Sequence, residues 1–188
     1  AKEKGLIRFC LTEPDSGSDA ASVRTKAVLK DDHYVINGRK CFITNGGVAD
    51  FYTVFATTQP GKRIEGITGF VVEKGTPGYS VGRELKKMGV KASTTGELIF
   101  EDCPVPAENI LRKEGDGFLI ALGTVEWDRS TLMAPFLGGL EYALDACVKY
   151  AKERVQFDRP IASFQAIQHK LADIKVIMEA VRLLIFRV

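Results

Sequence analysis

Apolar positions change their spacing near residue 112. Before it, short apolar runs alternate with glycine, proline and polar turns: Leu6, Ile7, Phe9 and Leu11, then Val23 to Leu29, Tyr34 to Ile36, Cys41 to Thr44, Phe51 to Thr57, Thr68 to Val72, Tyr79 to Val81 and Leu98 to Phe100. Many short strands at this spacing predict a sandwich or barrel. Asn37-Gly38 lies between two apolar runs and predicts a hairpin, because both central residues of a type I′ turn need φ > 0. Asn45-Gly46-Gly47 ends the following strand, and Gln59 to Glu65 is a polar loop.

After Pro104 and Pro106 the pattern turns helical, and from Gly117 the apolar spacing approaches that of an α-helix. A helical region over Phe118 to Arg154 contains Pro135, which should kink or break it, followed by Gly138-Gly139, where another helix can approach closely. Arg159-Pro160 ends that region and Ser163 is the expected cap of the next helix. There Phe164, Ile167, Leu171, Ile174, Met178, Val181, Ile185 and Val188 follow steps of 3 and 4, a seam that asks for neighbouring helices as in a bundle. The seam predicts core or subunit packing and carries no chemistry of its own.

The chain of 188 residues has 45% hydrophobic and 27% charged residues, as in ordinary globular proteins. A net charge of +2 argues against a nucleic-acid surface. No run approaches the ~20 apolar residues of a membrane span, and the start has no signal-peptide pattern. The 4 cysteines lack CxxC spacing and only 2 histidines accompany them, so no metal site is expected and a reducing compartment is. The opening at Ala1 and the end inside a helical pattern predict an excerpt of a longer protein.

The stretch Phe9 to Asp19 is the most informative. An apolar run stops at Pro14, Asp15, Ser16 and Gly17, which offers the Thr12 and Ser18 hydroxyls and several free amides to an electron-rich or anionic ligand. Taken alone, the stretch reads first as a strand followed by a β-turn.

Together with Ile36 to Gly46, Lys87 to Ser93, Phe100 to Pro106 and Tyr150 to Phe157, the run Leu11-Thr12-Glu13-Pro14-Asp15-Ser16-Gly17-Ser18-Asp19 resembles the acyl-CoA dehydrogenase family over nearly the whole chain. The resemblance implies an α+β, multi-domain fold: a middle antiparallel β-barrel domain, 1–112, that binds flavin and acyl-CoA, then the long helices of a partial four-helix bundle, 113–188. It implies FAD as cofactor and desaturation of an acyl-CoA thioester between its α and β carbons, by α-proton abstraction and hydride transfer to the flavin. Expected partners are the acyl-CoA substrate, further copies in a dimer or tetramer, and an electron-transfer flavoprotein or similar acceptor. The expected compartment is the bacterial cytoplasm or the mitochondrial matrix. Two alternatives stay open: an acyl-CoA oxidase on the same fold, and a non-catalytic assembly module.

Residue by residue, Thr12 matches the threonine that bonds the flavin ring, with Phe9 and Leu11 beside it. Phe42, Ile43 and Thr44 match the aromatic-Ile-Thr run against the flavin; the family's common tryptophan is phenylalanine here. Phe42 is otherwise a barrel-core aromatic and Thr44 a plain strand threonine. Ser18 matches a serine contacting the cofactor or the CoA phosphates. Arg154 and Phe157 match residues that reach the FAD of a neighbouring subunit, with Gln156 and Gln165 adding polar contacts; the alternative for Arg154 is a solvated helix face. Glu126 and Arg129 fall where the family contacts acyl-CoA, and Asp128 where a minority of members carry their catalytic glutamate. Most members carry that base later in the chain, and aspartate is one methylene shorter. Asp128 is therefore either the base or a helix-surface carboxylate.

Overall fold

The structure, a computed structural model, describes residues 5–187. It forms two compact units, the first ending at Leu122 and the second beginning at Gly123. The first is a curled half-barrel of seven strands. These are β1 (Ile7–Cys10), β2 (Lys26–Lys30), β3 (His33–Thr44), β4 (Phe51–Thr57), β5 (Ile67–Glu73), β6 (Tyr79–Glu84) and β7 (Thr95–Pro106). The order is β1-β4-β2-β3-β7-β6, with β5 on β4. Most pairs are antiparallel, but β1 runs parallel to β4, and β2 meets β4 in parallel through Lys26 and Thr57.

Alternation along β4 divides the apolar side chains between two clusters. Tyr52, Val54 and Ala56 join Ile36, Ile43, Phe70, Leu98, Phe100 and Val105 in the main core. Phe55 faces the other way, with Val23, Ile67 and Ala121, flanked by Phe9, Leu11, Phe118 and Ile120. Fully burying a side chain of this size contributes about 1.5–3 kcal/mol.

The hairpin expected at Asn37-Gly38 does not form. Both residues lie inside β3, a strand of 12 residues that pairs along its length with the equally long β7. The chain reverses instead at Asp31-Asp32, where Lys30 pairs with His33. The Asn37 amide is committed across the sheet: its Nδ2 donates to Asp102 Oδ1 at 3.1 Å and its Oδ1 accepts from the Asp102 amide at 2.8 Å. Gly38 is needed for close approach, since a Cβ there would lie 2.4 Å from Thr25 Oγ1 and 2.7 Å from Thr25 Cα.

Helix α1 (Gly117–Thr131) begins in the first unit, and α2 (Ala134–Glu153) and α3 (Gln165–Phe186) belong to the second. The break falls where Pro135 predicts it, with proline in the first turn of α2. Between α2 and α3 a small hairpin, β8 (Val155–Gln156) and β9 (Arg159–Pro160), replaces a simple stop. Ser163 is not the cap: Phe164 holds that position, and Ser163 Oγ donates to the Pro160 carbonyl at 2.7 Å. Leu137 and Leu144 of α2 pack with Met178 of α3, supported by Val148, Leu171, Val181 and Ile185, and Arg182 pairs with Glu141. Leu171, Met178, Val181 and Ile185 of the seam thus lie on the covered side of α3, while the seam member Ile174 stays exposed. The other side of the helix leaves Val176, Leu183, Leu184 and Phe186 exposed. The seam position Val188 lies outside the described residues.

Candidate functional site

In the first unit, β1 delivers Phe9 and Leu11 to the edge of the second apolar cluster and leaves Thr12 half-buried at the strand end. The turn that follows is tighter than a loop with free amides. Glu13 N donates to the Ser16 carbonyl at 2.8 Å and Ser16 N to the Glu13 carbonyl at 3.2 Å, so both amides are consumed by the turn itself. Ser18 stands exposed beyond it. Across the sheet, Cys41 N donates to the Thr12 carbonyl at 2.9 Å. That bond ties the strand end to the segment that carries Phe42, Ile43 and Thr44.

Phe42 owes its placement to a β-bulge. Lys40 pairs with Leu98 and Ile43 with Gly96, so Cys41 and Phe42 together face the single residue Glu97. Phe42 adopts φ 58 and is 65% exposed. A left-handed backbone is rare for a bulky side chain and costs about 1–3 kcal/mol; such outliers cluster at ligand clamps. Phe42 is therefore no core aromatic. Thr44 is exposed on the same side of β3, whereas Ile43 turns into the core and leaves only its main chain for a ligand.

Beneath these two segments lies a polar hub that no sequence pattern singled out. Lys40 is fully buried, and its Nζ donates to Glu13 Oε1 at 2.7 Å, the Leu11 carbonyl at 3.1 Å and the Phe55 carbonyl at 2.5 Å. Glu13 also accepts from Arg24 N at 2.7 Å, Thr25 N at 3.0 Å and Thr25 Oγ1 at 2.6 Å. Burial works against the Glu13 charge, but the Lys40 ammonium and the bonds from Lys40, Thr25 and the Arg24 amide outweigh it and hold the carboxyl below its ordinary range. For Lys40, burial is the larger influence and draws the ammonium below the ordinary lysine value despite Glu13. The available signal was parity: Lys40 shares the inward register of Tyr34 and Ile36 along β3.

In the second unit, Glu126, Asp128 and Arg129 are all exposed on the last turns of α1. Arg154 caps α2 with its main chain, its amide donating to the Tyr150 carbonyl and its carbonyl accepting from Ile161 N, each at 2.8 Å, which leaves the guanidinium exposed. The adjoining hairpin turns on Phe157 (φ 52) and Asp158 (φ 58), the paired positive angles of a type I′ turn. Phe157 is 87% exposed and meets Phe164 edge-on at 6.1 Å, while the Arg159 guanidinium lies 4.2 Å over the Phe164 ring. Gln156 sits on β8 beside Arg154, and exposed Gln165 opens α3. Among the described residues, no group of three or more His, Cys, Asp or Glu could hold a metal ion, and no helix is long and apolar enough to cross a membrane.

Residues 8–103 match the family model of the acyl-CoA dehydrogenase middle domain, and 115–188 that of the acyl-CoA dehydrogenase C-terminal domain. An acyl-CoA dehydrogenase of Bacillus subtilis is 52% identical over 181 residues, 96% of this chain and 48% of the relative. The structure of butyryl-CoA dehydrogenase from Megasphaera elsdenii superposes with a TM-score of 0.84 at 49% identity, covering 97% of this chain and 48% of that one. The FAD complex of PigA gives a TM-score of 0.84 at 35% identity, covering 98% and 48%. The chain thus spans about half the length of the relatives it matches. With one model on the half-barrel and the other on the helices, this chain belongs to the acyl-CoA dehydrogenase family.

Proposed function

We propose that the chain is the middle and first helical part of an FAD-dependent acyl-CoA dehydrogenase, with residues 1–112 as the flavin- and acyl-CoA-binding domain and 113–188 as the start of the helical one. The observation that carries this reading is Phe42. A bulky, exposed side chain is held at φ 58 by a bulge, in the run that the family uses against the flavin.

The residues present fit such a cofactor. Phe42 offers a flat apolar face, and Thr44, on the same side of the strand, offers a hydroxyl. Thr12 supplies a second hydroxyl from the strand end tied to Cys41. Phe9 and Leu11 give that end an apolar flank, and Ser18 stands free for a phosphate or the cofactor. When bound, FAD supplies the acceptor for the hydride leaving the β carbon. The chain's part is to orient flat rings with short-range donors, and to polarise with hydroxyls and amides that need no reorganisation during the reaction.

On the helical unit, Arg154, Gln156, Phe157 and Gln165 form a polar and aromatic group suited to a dinucleotide. The guanidinium fork matches a pyrophosphate, and Phe157, at φ 52, is a second exposed ring held in left-handed backbone. We assign this group to the FAD of a neighbouring copy, which makes FAD binding dependent on a homodimer or homotetramer. Glu126 and Arg129 are assigned to acyl-CoA. The electrons pass on to an electron-transfer flavoprotein or a similar acceptor.

The test is product analysis on the full-length protein. With an artificial electron acceptor and no oxygen, one member of a panel of acyl-CoA thioesters should yield its α,β-unsaturated thioester. Stoichiometric peroxide with oxygen alone would instead identify an oxidase, and no product under either condition would overturn the proposal.

A further inference from the structure

We propose that the buried Lys40–Glu13 pair is a positioning device for the flavin site, fixing the strand end at Leu11-Thr12 against the bulge that presents Phe42. This rests on the functional reading above and extends it to two residues that touch no ligand.

The geometry is a cross-link rather than a packing contact. The three bonds from Lys40 Nζ run to the Leu11 carbonyl, the Glu13 carboxylate and the Phe55 carbonyl, and so join the strand end, the turn after it and β4. Glu13 extends the link to Arg24 and Thr25. Two successive carbonyls of the strand end are therefore held from β3, Leu11 by the Lys40 side chain and Thr12 by the Cys41 amide. Both donors sit immediately before Phe42. The strand end cannot slide, nor the bulge relax, without breaking both.

Energetics favour this role over a purely stabilising one. Replacing a buried ion pair with apolar groups of similar volume is often neutral or stabilising, whereas removing one partner is costly. Apolar packing has no directional bonds with which to choose one register of Leu11 and Thr12 relative to Phe42. The opposite charges of the pair offset each other at a distance, whereas its directional bonds act on the position of Leu11 and Thr12 directly. A site held to within about 0.5 Å needs such a supporting shell.

The experiment uses full-length protein stripped of flavin and titrated with FAD, read by flavin fluorescence and by visible circular dichroism of the bound flavin. The double variant K40M/E13Q removes both charges together. Thr25→Val removes only the hydroxyl that bonds Glu13 Oε1 and keeps the pair. The double variant leaves the Leu11 and Phe55 carbonyls without their Lys40 donor and should lower the thermal midpoint. Well below that midpoint the folded protein should still bind FAD about tenfold more weakly or worse, the loss typical of a missing supporting shell, with an altered flavin dichroism band. Thr25→Val should change the same two readouts in the same direction by less, and it serves on its own if the double variant fails to fold. Wild-type affinity and an unchanged band in whichever of the two variants folds would overturn the positioning role while leaving the functional reading intact. Wild-type protein that takes up no FAD would overturn both.

Discussion

Cys41 N donates to the carbonyl of Thr12 across 2.9 Å, and this single main-chain bond joins the two segments that carry the candidate flavin contacts. Because it uses no Thr12 side-chain atom, the Thr12 hydroxyl is separable from the fold. In the full-length protein, Thr12→Val should leave unfolding by denaturant within about 0.5 kcal/mol of wild type, while FAD affinity falls. A matching loss of stability would mean that the hydroxyl serves the sheet.

Gly38 faces Thr25 so closely that an added Cβ would meet backbone as well as side chain. Gly38→Ala should cost about 1–3 kcal/mol, the usual range for overpacking, read as a lower denaturant midpoint with an unchanged slope. A neutral result would mean that β2 and β3 can separate locally without loss.

The depressed Glu13 carboxyl makes stability pH-dependent. In the acid range the unfolded chain binds the proton that folded Glu13 refuses, so unfolding free energy rises with pH there. The contribution is complete above the ordinary carboxylate range and is lost as pH falls through the folded value. Glu13→Gln should flatten this acid limb in urea titrations. It should also lower stability at neutral pH by about 3–5 kcal/mol, because Lys40 is left buried and unpaired.

The thiols should divide sharply. Burial pushes Cys10 up to about 12 and Cys103 up to about 11, and Cys41 is also buried and raised. Cys147 is exposed. At mildly alkaline pH a thiol reagent should modify Cys147 quickly and the other three only as fast as the protein opens, as read by mass spectrometry of labelled peptides.

Asp128 lies exposed on α1, and we assign it to the helix surface because its side chain is one methylene shorter than the glutamate base it matches. Asp128→Asn in the full-length enzyme should leave the rate of flavin reduction by substrate unchanged. A fall of about 10²–10⁴, the usual worth of a general base, would make Asp128 that base.

Local patterns were legible where local forces decide. Phe51 to Thr57 matches β4 residue for residue, and the Pro135 break falls between α1 and α2. The Asn37-Gly38 hairpin failed because a long-range partner won: Asp102, 65 positions away, takes both ends of the Asn37 amide. Among the described residues, two successive positive φ angles in a hairpin turn fall at Phe157-Asp158, which lacks glycine and so gives no turn signal. The Phe42 run was legible as a motif, but its bulge depends on register against Glu97. Lys40 and Glu13, 27 positions apart, meet only through the sheet. Sequence spacing predicts what a segment prefers, and the partners that override it lie elsewhere in the chain.

The central claim is tested most directly by the visible spectrum of the full-length protein before and after an acyl-CoA is added without oxygen. The account predicts a flavin spectrum that bleaches with at least one thioester of the panel. A protein without bound flavin, or a flavin spectrum that no acyl-CoA changes, would contradict it.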